Sequence, residues 1–162
     1  MDTYLILIIV IGGLLLVGSI IFVIIDRVKR TAKEIEYGAV ENHILMHVYG
    51  IPFCDNTDSV SLYIHPEQII LECKKKTYIL KIDQILNVSM EDDKTIQAQI
   101  GTKVKSVVGI GQNLVLHYRT AEHDETKMII LQLAQNFKAL GLVKTIKKMV
   151  AEEHKKQGVI EL

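Results

Sequence analysis

The stretch SVSLYIHPEQIILECKKKTYILKI, residues 59–82, decides the fold class of this chain. Its apolar residues form three short runs, 59–64, 68–73 and 77–82, and the first alternates with the period of a strand that has one buried face. A His-Pro-Glu turn separates the first two runs, and a lysine turn separates the last two. The stretch therefore predicts three consecutive antiparallel strands joined by tight turns.

The chain beyond this stretch continues the pattern. The segments 84–90, 113–120 and 127–133 predict further strands, and an acidic turn at 91–94 precedes weaker strand signals over 95–108. Short strands with a turn about every ten residues indicate an antiparallel sheet. We expect six to eight strands, curled into a sandwich or a partly open barrel.

Apolar residues recur at helical spacing near the C-terminus. They are Ala139, Leu142, Val143, Ile146, Met149 and Val150. Such a stripe faces a core while the lysines between its members face water, and Asn136 is suited to the N-cap position. The pattern predicts one amphipathic helix that closes an open end of the barrel.

The segment LYIHPEQIILECKKKTYILKIDQILNVSME (62–91) resembles the pleckstrin-homology-like superfold, in its GRAM or bacterial PH-domain form. The similarity lies in a short turn, an apolar strand, a basic hairpin and an Ile-x-x-Ile step at Ile82 and Ile85, and it extends over about residues 45–155. The resemblance implies an α+β binding module in which basic residues near the open barrel end often hold a phosphoinositide head group. The family's lipid-binding pattern places Lys and Arg around the first hairpin, whereas the turn at 64–68 contains neither.

The N-terminal segment carries a long apolar run. From Tyr4 to Ile25 there are 22 residues without a charge. As a helix this run is roughly 33 Å long, enough to cross a hydrocarbon core of about 30 Å. A cleavable signal peptide has a basic start and a small-x-small cleavage site, and this chain has only Asp2 before the run and no such site after it. We interpret the run as a retained, single-pass transmembrane anchor.

The charges beside the anchor predict its orientation. Arg27, Lys29, Arg30 and Lys33 follow the apolar run, while no Lys or Arg precedes it. Because loops rich in Lys and Arg stay in the cytoplasm, we expect the N-terminus outside and the remaining chain inside the cell membrane. Cys54 and Cys73 leave two alternatives, one disulfide bridge or two reduced thiols, of which the thiols suit the cytosol.

A possible dimer seam continues from the anchor into a polar stalk. Residues recur at the alternating spacing that two parallel helices share, and its members are Gly18, Ala32, Ile35 and Ala39. The simpler explanation is chance, because any long apolar segment contains small or apolar residues at this spacing. The sequence predicts three parts, an anchor at 1–25, a helical stalk at 26–45 and a PH-like cytoplasmic domain at 46–162.

Basic residues are the candidate contacts with a membrane surface or lipid. Arg27, Lys29 and Arg30 flank the anchor, and Lys74, Lys75 and Lys76 form a cluster in the second hairpin. Each exposed Lys contributes about 1 kcal/mol near an anionic leaflet. A solvated hairpin tip is the competing interpretation. The balance of 19 basic and 19 acidic residues argues against bulk attraction to nucleic acid.

The other residue patterns in the sequence do not match a known metal-binding or nucleotide-binding motif. His43 and His47 share helix spacing, but the two cysteines are 19 residues apart and complete no familiar zinc pattern. Gly109 and Gly111 precede a strand rather than a helix, which is unlike a dinucleotide loop. We therefore predict no metal, no cofactor and no catalytic residue.

The sequence predicts a membrane-anchored, non-enzymatic binding or scaffold protein. Its cytoplasmic domain would recognise a protein partner or the inner-leaflet surface. The alternative is an oligomeric accessory membrane protein, a homodimer, that acts through its anchor and stalk.

Overall fold

A computed structural model describes residues 3–101, 111–120, 125–133, 136–156 and 158. The chain divides into two compact units, Met1–Gly38 and Ala39–Leu162. The first unit is one helix, and the second is a sheet with two further helices.

Helix α1, Thr3–Tyr37, forms the first unit. Among the described residues one helical segment, Ile11–Tyr37, is long and apolar enough to cross a membrane, and it is not buried inside the protein. The helix ends at Gly38, whose φ of 60° is left-handed and whose N–H donates to the carbonyl of Ile35 at 3.2 Å. A left-handed glycine is the usual way for a helix to stop.

The predicted helical stalk to residue 45 is therefore too long. Residues 41–45 are the first part of a strand, because β2 satisfies their backbone hydrogen-bonding groups, with Glu41 opposite Ile64 and Leu45 opposite Val60. The helical spacing that suggested a seam as far as Ala39 was coincidental beyond Tyr37.

The second unit is built on a seven-stranded antiparallel sheet with the order β4-β3-β2-β1-β7-β6-β5. The strands are β1 Glu41–Tyr49, β2 Ser59–His65, β3 Gln68–Cys73, β4 Lys76–Lys81, β5 Ile85–Asp92, β6 Gln112–Arg119 and β7 Thr126–Leu133. All the predicted strands are confirmed except the one over 95–108, and β1 is an additional strand. The sheet is not closed into a barrel, since β4 and β5 are its two edges and a short 3-10 helix, Ile82–Gln84, connects them.

The main core lies between one face of the sheet and the C-terminal helix α3, Asn136–Lys156. Val60, Leu62 and Ile64 of β2 are fully buried in it, as the alternation predicts. From α3, Leu142, Ile146 and Val150 enter the same core, which confirms the amphipathic C-terminal helix. Burial of each such side chain stabilises the fold by about 1.5–3 kcal/mol, so this core dominates the stability of the unit.

Helix α2, Asp93–Ile100, replaces the strand predicted from the weak signals after residue 95. The side chain of Asp92 caps it by accepting a hydrogen bond from the N–H of Thr95 at 2.8 Å, and Gly101 ends it with a φ of 66°. The fully buried Ile96 packs with Val115 on the second face of the sheet. A helix with an N-cap and one buried apolar side chain is thus more favourable here than an isolated strand. Residues 102–108, with Gly109, lie outside the described residues.

Candidate binding surface

The lysine cluster lies at one end of the sheet. Lys74 and Lys75 form the two-residue turn between β3 and β4, and Lys76 begins β4. The β1–β2 loop, residues 50–58, lies at the same end, because β1 and β2 are antiparallel and Met46 pairs with Ser59. We call this loop and this turn together the disulfide-linked end.

A disulfide bond joins the two parts of this end. Cys54 of the loop is bonded to Cys73 at the end of β3, with the Cα atoms 6.2 Å apart. Cys73 is buried and Cys54 is partly exposed. Of the two alternatives that the sequence left open, the structure has the bridge.

A buried histidine organises the base of the loop. His47 donates from Nδ1 to the carbonyl of Asp55 at 3.0 Å, and its Nε2 accepts from the N–H of Ile51 at 3.1 Å. These two bonds require the neutral ring. Burial lowers the pKa of His47, although the Asp55 carbonyl and the Asp58 carboxylate oppose the shift. Both ring nitrogens of His47 are engaged in hydrogen bonds, so His47 and His43 do not form a pair of metal ligands. Nε2 of His43 instead lies 3.2 Å from Oε2 of Glu41.

Lys74 is not a free cation of the lysine cluster. Its ammonium group pairs with Asp58 at 2.8 Å and also with Asp55, both in the β1–β2 loop. The hydrogen bonds to Asp55 and then Asp58 raise the pKa of Lys74, and the bond from Lys74 lowers the pKa of Asp58. The loop therefore brings two negative charges to a cluster that the sequence shows as three positive ones.

Lys76 is also engaged at this end. Its Nζ lies 3.6 Å from the ring centroid of Phe53, a cation–π contact between the start of β4 and the loop. Phe53 is 71% exposed, which is unusual for an aromatic side chain. The exposed part of this end is thus an aromatic ring with lysines beside it.

The backbone at this end is strained. Among the described residues, four non-glycine residues have a positive φ, and all four lie here: Phe53 at 70°, Thr57 at 78°, Lys74 at 48° and Lys75 at 63°. A two-residue hairpin turn with two left-handed residues normally contains Asn-Gly or a similar pair. Lys-Lys has to be held in this form by its surroundings, since left-handed residues with a Cβ are disfavoured by about 1–2 kcal/mol each.

A second polar cluster lies beside α2. The fully buried Asn113 donates to the carboxylate of Asp93 at 2.7 Å, and Gln132 donates to the same oxygen at 3.4 Å. A Cβ at Gly111 would lie 2.6 Å from that carboxylate, so a larger residue there would displace the Asp93 side chain. The segment that the sequence predicted as an acidic turn therefore fixes the start of α2 on the sheet.

The remaining predicted contact residues lie in the first unit. Arg27, Lys29 and Arg30 are on α1, where Arg30 pairs with Asp26. Of the proposed seam, Gly18, Ala32 and Ile35 are on α1 as well, and Ala39 is not.

The edge strand β4 offers an open side. It has β3 on one side and, in the part of the chain that the structure describes, no strand on the other. Ile79 in the middle of β4 is 55% exposed. Lys76 and Lys81 stand at the two ends of this edge strand. The sequence contains no signal that identifies β4 as an edge strand.

Comparison with known proteins adds no family to this description. No family model matches the chain, and no curated protein matches it significantly.

Proposed function

We propose that this chain is a membrane-anchored, non-enzymatic binding protein whose sheet domain recognises an extended segment of a partner protein at the β4 edge. The observation that carries the proposal is the side of β4 on which no strand lies among the described residues, with Ile79 exposed at its centre. An unpaired strand offers a row of backbone N–H and C=O groups to an added strand, and its side chains supply specificity. The lysines at both ends of β4 favour a segment that carries acidic residues.

A PH-like classification of the domain is part of this proposal. It is supported by the antiparallel sheet, the short basic hairpin and the C-terminal helix against the main core, the features on which the resemblance rests. The domain would serve as a binding module in the way that the resemblance implies.

The anchor gives the proposed binding its location. The segment after Ile11 is long and apolar enough to span a bilayer, and Arg27, Lys29 and Arg30 on its C-terminal side favour a cytoplasmic domain. Tethering raises the effective concentration of the domain at the membrane, so that a weak edge contact suffices there. Protease treatment of intact cells tests this placement, since a cytoplasmic domain is protected until the membrane is broken.

A protein partner is favoured over an anionic lipid surface. Lys74 is paired with two carboxylates, and Lys76 lies against Phe53, so the hairpin is less basic than its sequence. These contacts weaken the interpretation of the lysines as a lipid site.

Site-specific photocrosslinking of the full chain in its membrane tests the proposal. A crosslinker at Thr77, which is on the β4 edge, should give a discrete protein adduct. Ile79→Lys should abolish this adduct, whereas Ile44→Lys should not, because Ile44 is also an exposed isoleucine, at 44%, but lies on the central strand β1. Lipid adducts in place of protein, or equal loss with both variants, would refute binding at the β4 edge.

A further inference from the structure

We propose that Cys54 and Cys73 form a reversible redox site, and that its state controls how Phe53 and the first residues of β4 are presented. Regulation of binding at the β4 edge by this site rests on the proposed function. The redox chemistry itself depends on the two cysteines and their surroundings.

The disulfide lies beside a large hydrophobic core. Small secreted domains use disulfides where a hydrophobic core is insufficient. Here the strands share a large core with α3, and residues such as Leu62, Leu116 and Ile146 are fully buried in it. Cys73 belongs to the border of this core and the partly exposed Cys54 packs against it, so the disulfide adds one link to a core that many other side chains form.

The ends of the loop are also held without the disulfide. The N–H of Thr57 donates to the carbonyl of His47 at 2.8 Å, and the N–H of His47 donates to the carbonyl of Asp58 at 2.8 Å. The ring of His47 holds Ile51 and Asp55. Reduction would therefore act on the short segment around Phe53 and Cys54 and leave its two attachment points in place.

The strained residues flank the disulfide directly. Phe53 precedes Cys54 and Lys74 follows Cys73, and both are left-handed. Strain of this kind persists only where the surroundings enforce it, and it often marks a segment with two states. Breaking the Cys54–Cys73 bond removes the covalent constraint that holds Phe53 beside Lys76. The Phe53 ring is then able to move away from the first residues of β4.

The proposed cytoplasmic placement supports reversibility. Disulfides that form in the cytosol are usually redox-sensing rather than structural, since glutathione keeps thiols reduced there. Cys54 is the more accessible partner and is the site at which a small thiol would attack.

The exchange is balanced with glutathione as the co-reactant. A glutathione thiolate attacks Sγ of Cys54, and Sγ of Cys73 leaves as a thiolate that takes up a proton. A second glutathione thiolate attacks the mixed disulfide, releases oxidised glutathione and leaves Cys54 as a thiol after protonation. Two electrons pass from two glutathione molecules to the protein, and oxidation reverses each step.

The test uses the full chain in lipid nanodiscs, equilibrated with mixtures of reduced and oxidised glutathione. Thiols are counted by alkylation and mass spectrometry, and chymotrypsin is applied to each sample because it cleaves after aromatic residues. We expect complete and reversible titration of the two thiols. We also expect cleavage after Phe53 to be about tenfold faster in the reduced protein, as local opening allows.

Controls separate local opening from unfolding. Tyr63 is 1% exposed, so the rate of cleavage after it reports global unfolding and should not change. A Cys54→Ser/Cys73→Ser double variant should be cleaved at the reduced rate in every mixture. The wild-type comparison stands without this variant if it fails to fold.

Three results would overturn the inference. The disulfide would be structural if it persisted in a large excess of reduced glutathione while the protein stayed folded. Equal cleavage after Phe53 in both states would show that the segment does not respond. A parallel rise after Tyr63 would show unfolding instead of a switch. The photocrosslink at Thr77 is a separate measurement, so absence of a partner there would refute the proposed function and not the redox chemistry.

Discussion

Two turns, each of two residues, connect β2 to β3 and β3 to β4, and different interactions stabilise them. Pro66 and Glu67 make the first turn, between the paired residues His65 and Gln68. The N–H of Glu67 donates to Nδ1 of His65 at 3.1 Å, and the ring of Pro66 fixes its own φ. Neither residue of this turn has a positive φ, so its conformation is not strained.

The second turn depends on its surroundings. Lys74 and Lys75 are both left-handed, although neither residue type favours that conformation. Cys73 is bonded to Cys54, and Lys74 is paired with Asp55 and Asp58. A distant loop thus imposes the conformation of this turn, and the difference between the turns locates the strained part of the domain.

The largest effect should come from Gly50, where the β1–β2 loop begins. Its φ is 93°, and a Cβ there would lie 1.9 Å from the backbone oxygen of Met128. We expect Gly50→Ala to lower the free energy of unfolding by about 3 kcal/mol or more, because strain and a backbone clash add together.

Gly101→Ala is the matched control for that substitution. Gly101 is also left-handed, at 66°, but no atom of the described residues lies within 4 Å of the position of its Cβ. We expect a loss of about 1 kcal/mol from conformation alone. Equal losses in denaturant titrations of the two variants would contradict the role of the close approach to β7.

The same substitution should have opposite signs in the two turns. Lys75→Gly should raise the free energy of unfolding by about 1 kcal/mol, because glycine adopts the left-handed conformation without strain. Glu67→Gly should lower it by about 0.5 kcal/mol, because Glu67 does not have a positive φ and glycine adds freedom to the unfolded chain.

Lys75→Ala separates charge from conformation in this comparison. It removes the ammonium group and keeps the Cβ, so it should not reproduce the gain of Lys75→Gly. Stabilisation by alanine as large as that by glycine would attribute the effect to charge and would remove the difference between the turns.

A smaller effect is expected at Phe53. Phe53→Ala removes the contact with the Lys76 ammonium group, and exposed contacts of this type contribute about 0.5 kcal/mol. Phe53→Leu keeps an apolar side chain without the aromatic face and should lose a similar amount. Full retention of stability by leucine in urea titrations would show that the contact is hydrophobic in nature.

The smallest response should be to pH, because the Asp55 carbonyl and the Asp58 and Asp55 carboxylates partly offset the effect of burial on the pKa of His47. The folded-state pKa of His47 is below its ordinary value of 6.5, with Asp55 and Asp58 facing the ring. As the pH falls, His47 therefore binds a proton at a higher pH in the unfolded chain than in the folded protein. The contribution of His47 is complete above pH 6.5 and declines below it, down to the folded-state pKa.

Thermal unfolding midpoints measured from about pH 8 to about pH 5 check this expectation. His47→Gln should flatten the decline. His65→Gln, which removes a histidine from the Pro66 turn, should keep it. A decline that survives in His47→Gln would assign it to another group.

The alternating strands were predictable because each carries its own signal. Val60, Leu62 and Ile64 alternate in the sequence and are fully buried in the structure. The first strand was not recognised, because its residues also matched helical spacing and only pairing with β2 decides between the two. Helix α2 was missed for a similar reason, since its stability depends on the Asp92 cap and on the burial of Ile96.

The candidate site was predictable only in part. The lysines were visible as a cluster, but their partners Asp55 and Asp58 come from a loop that the sheet register brings to the same end. A separation of 19 residues between Cys54 and Cys73 gives no signal of a bridge by itself. Left-handed lysines are likewise a result of tertiary contacts, which a local pattern does not contain.

The position of β1 has a consequence for biosynthesis. This strand is the first of the seven to leave the ribosome, yet it lies in the middle of the sheet and pairs with both β2 and β7. Its pairing with β2 involves neighbours in the sequence and is able to form early, whereas its other side stays unpaired until the last strand has been made. During that interval the nascent chain exposes an apolar edge that includes Leu45 and Val48, so we expect the emerging domain to depend on rapid completion or on a chaperone.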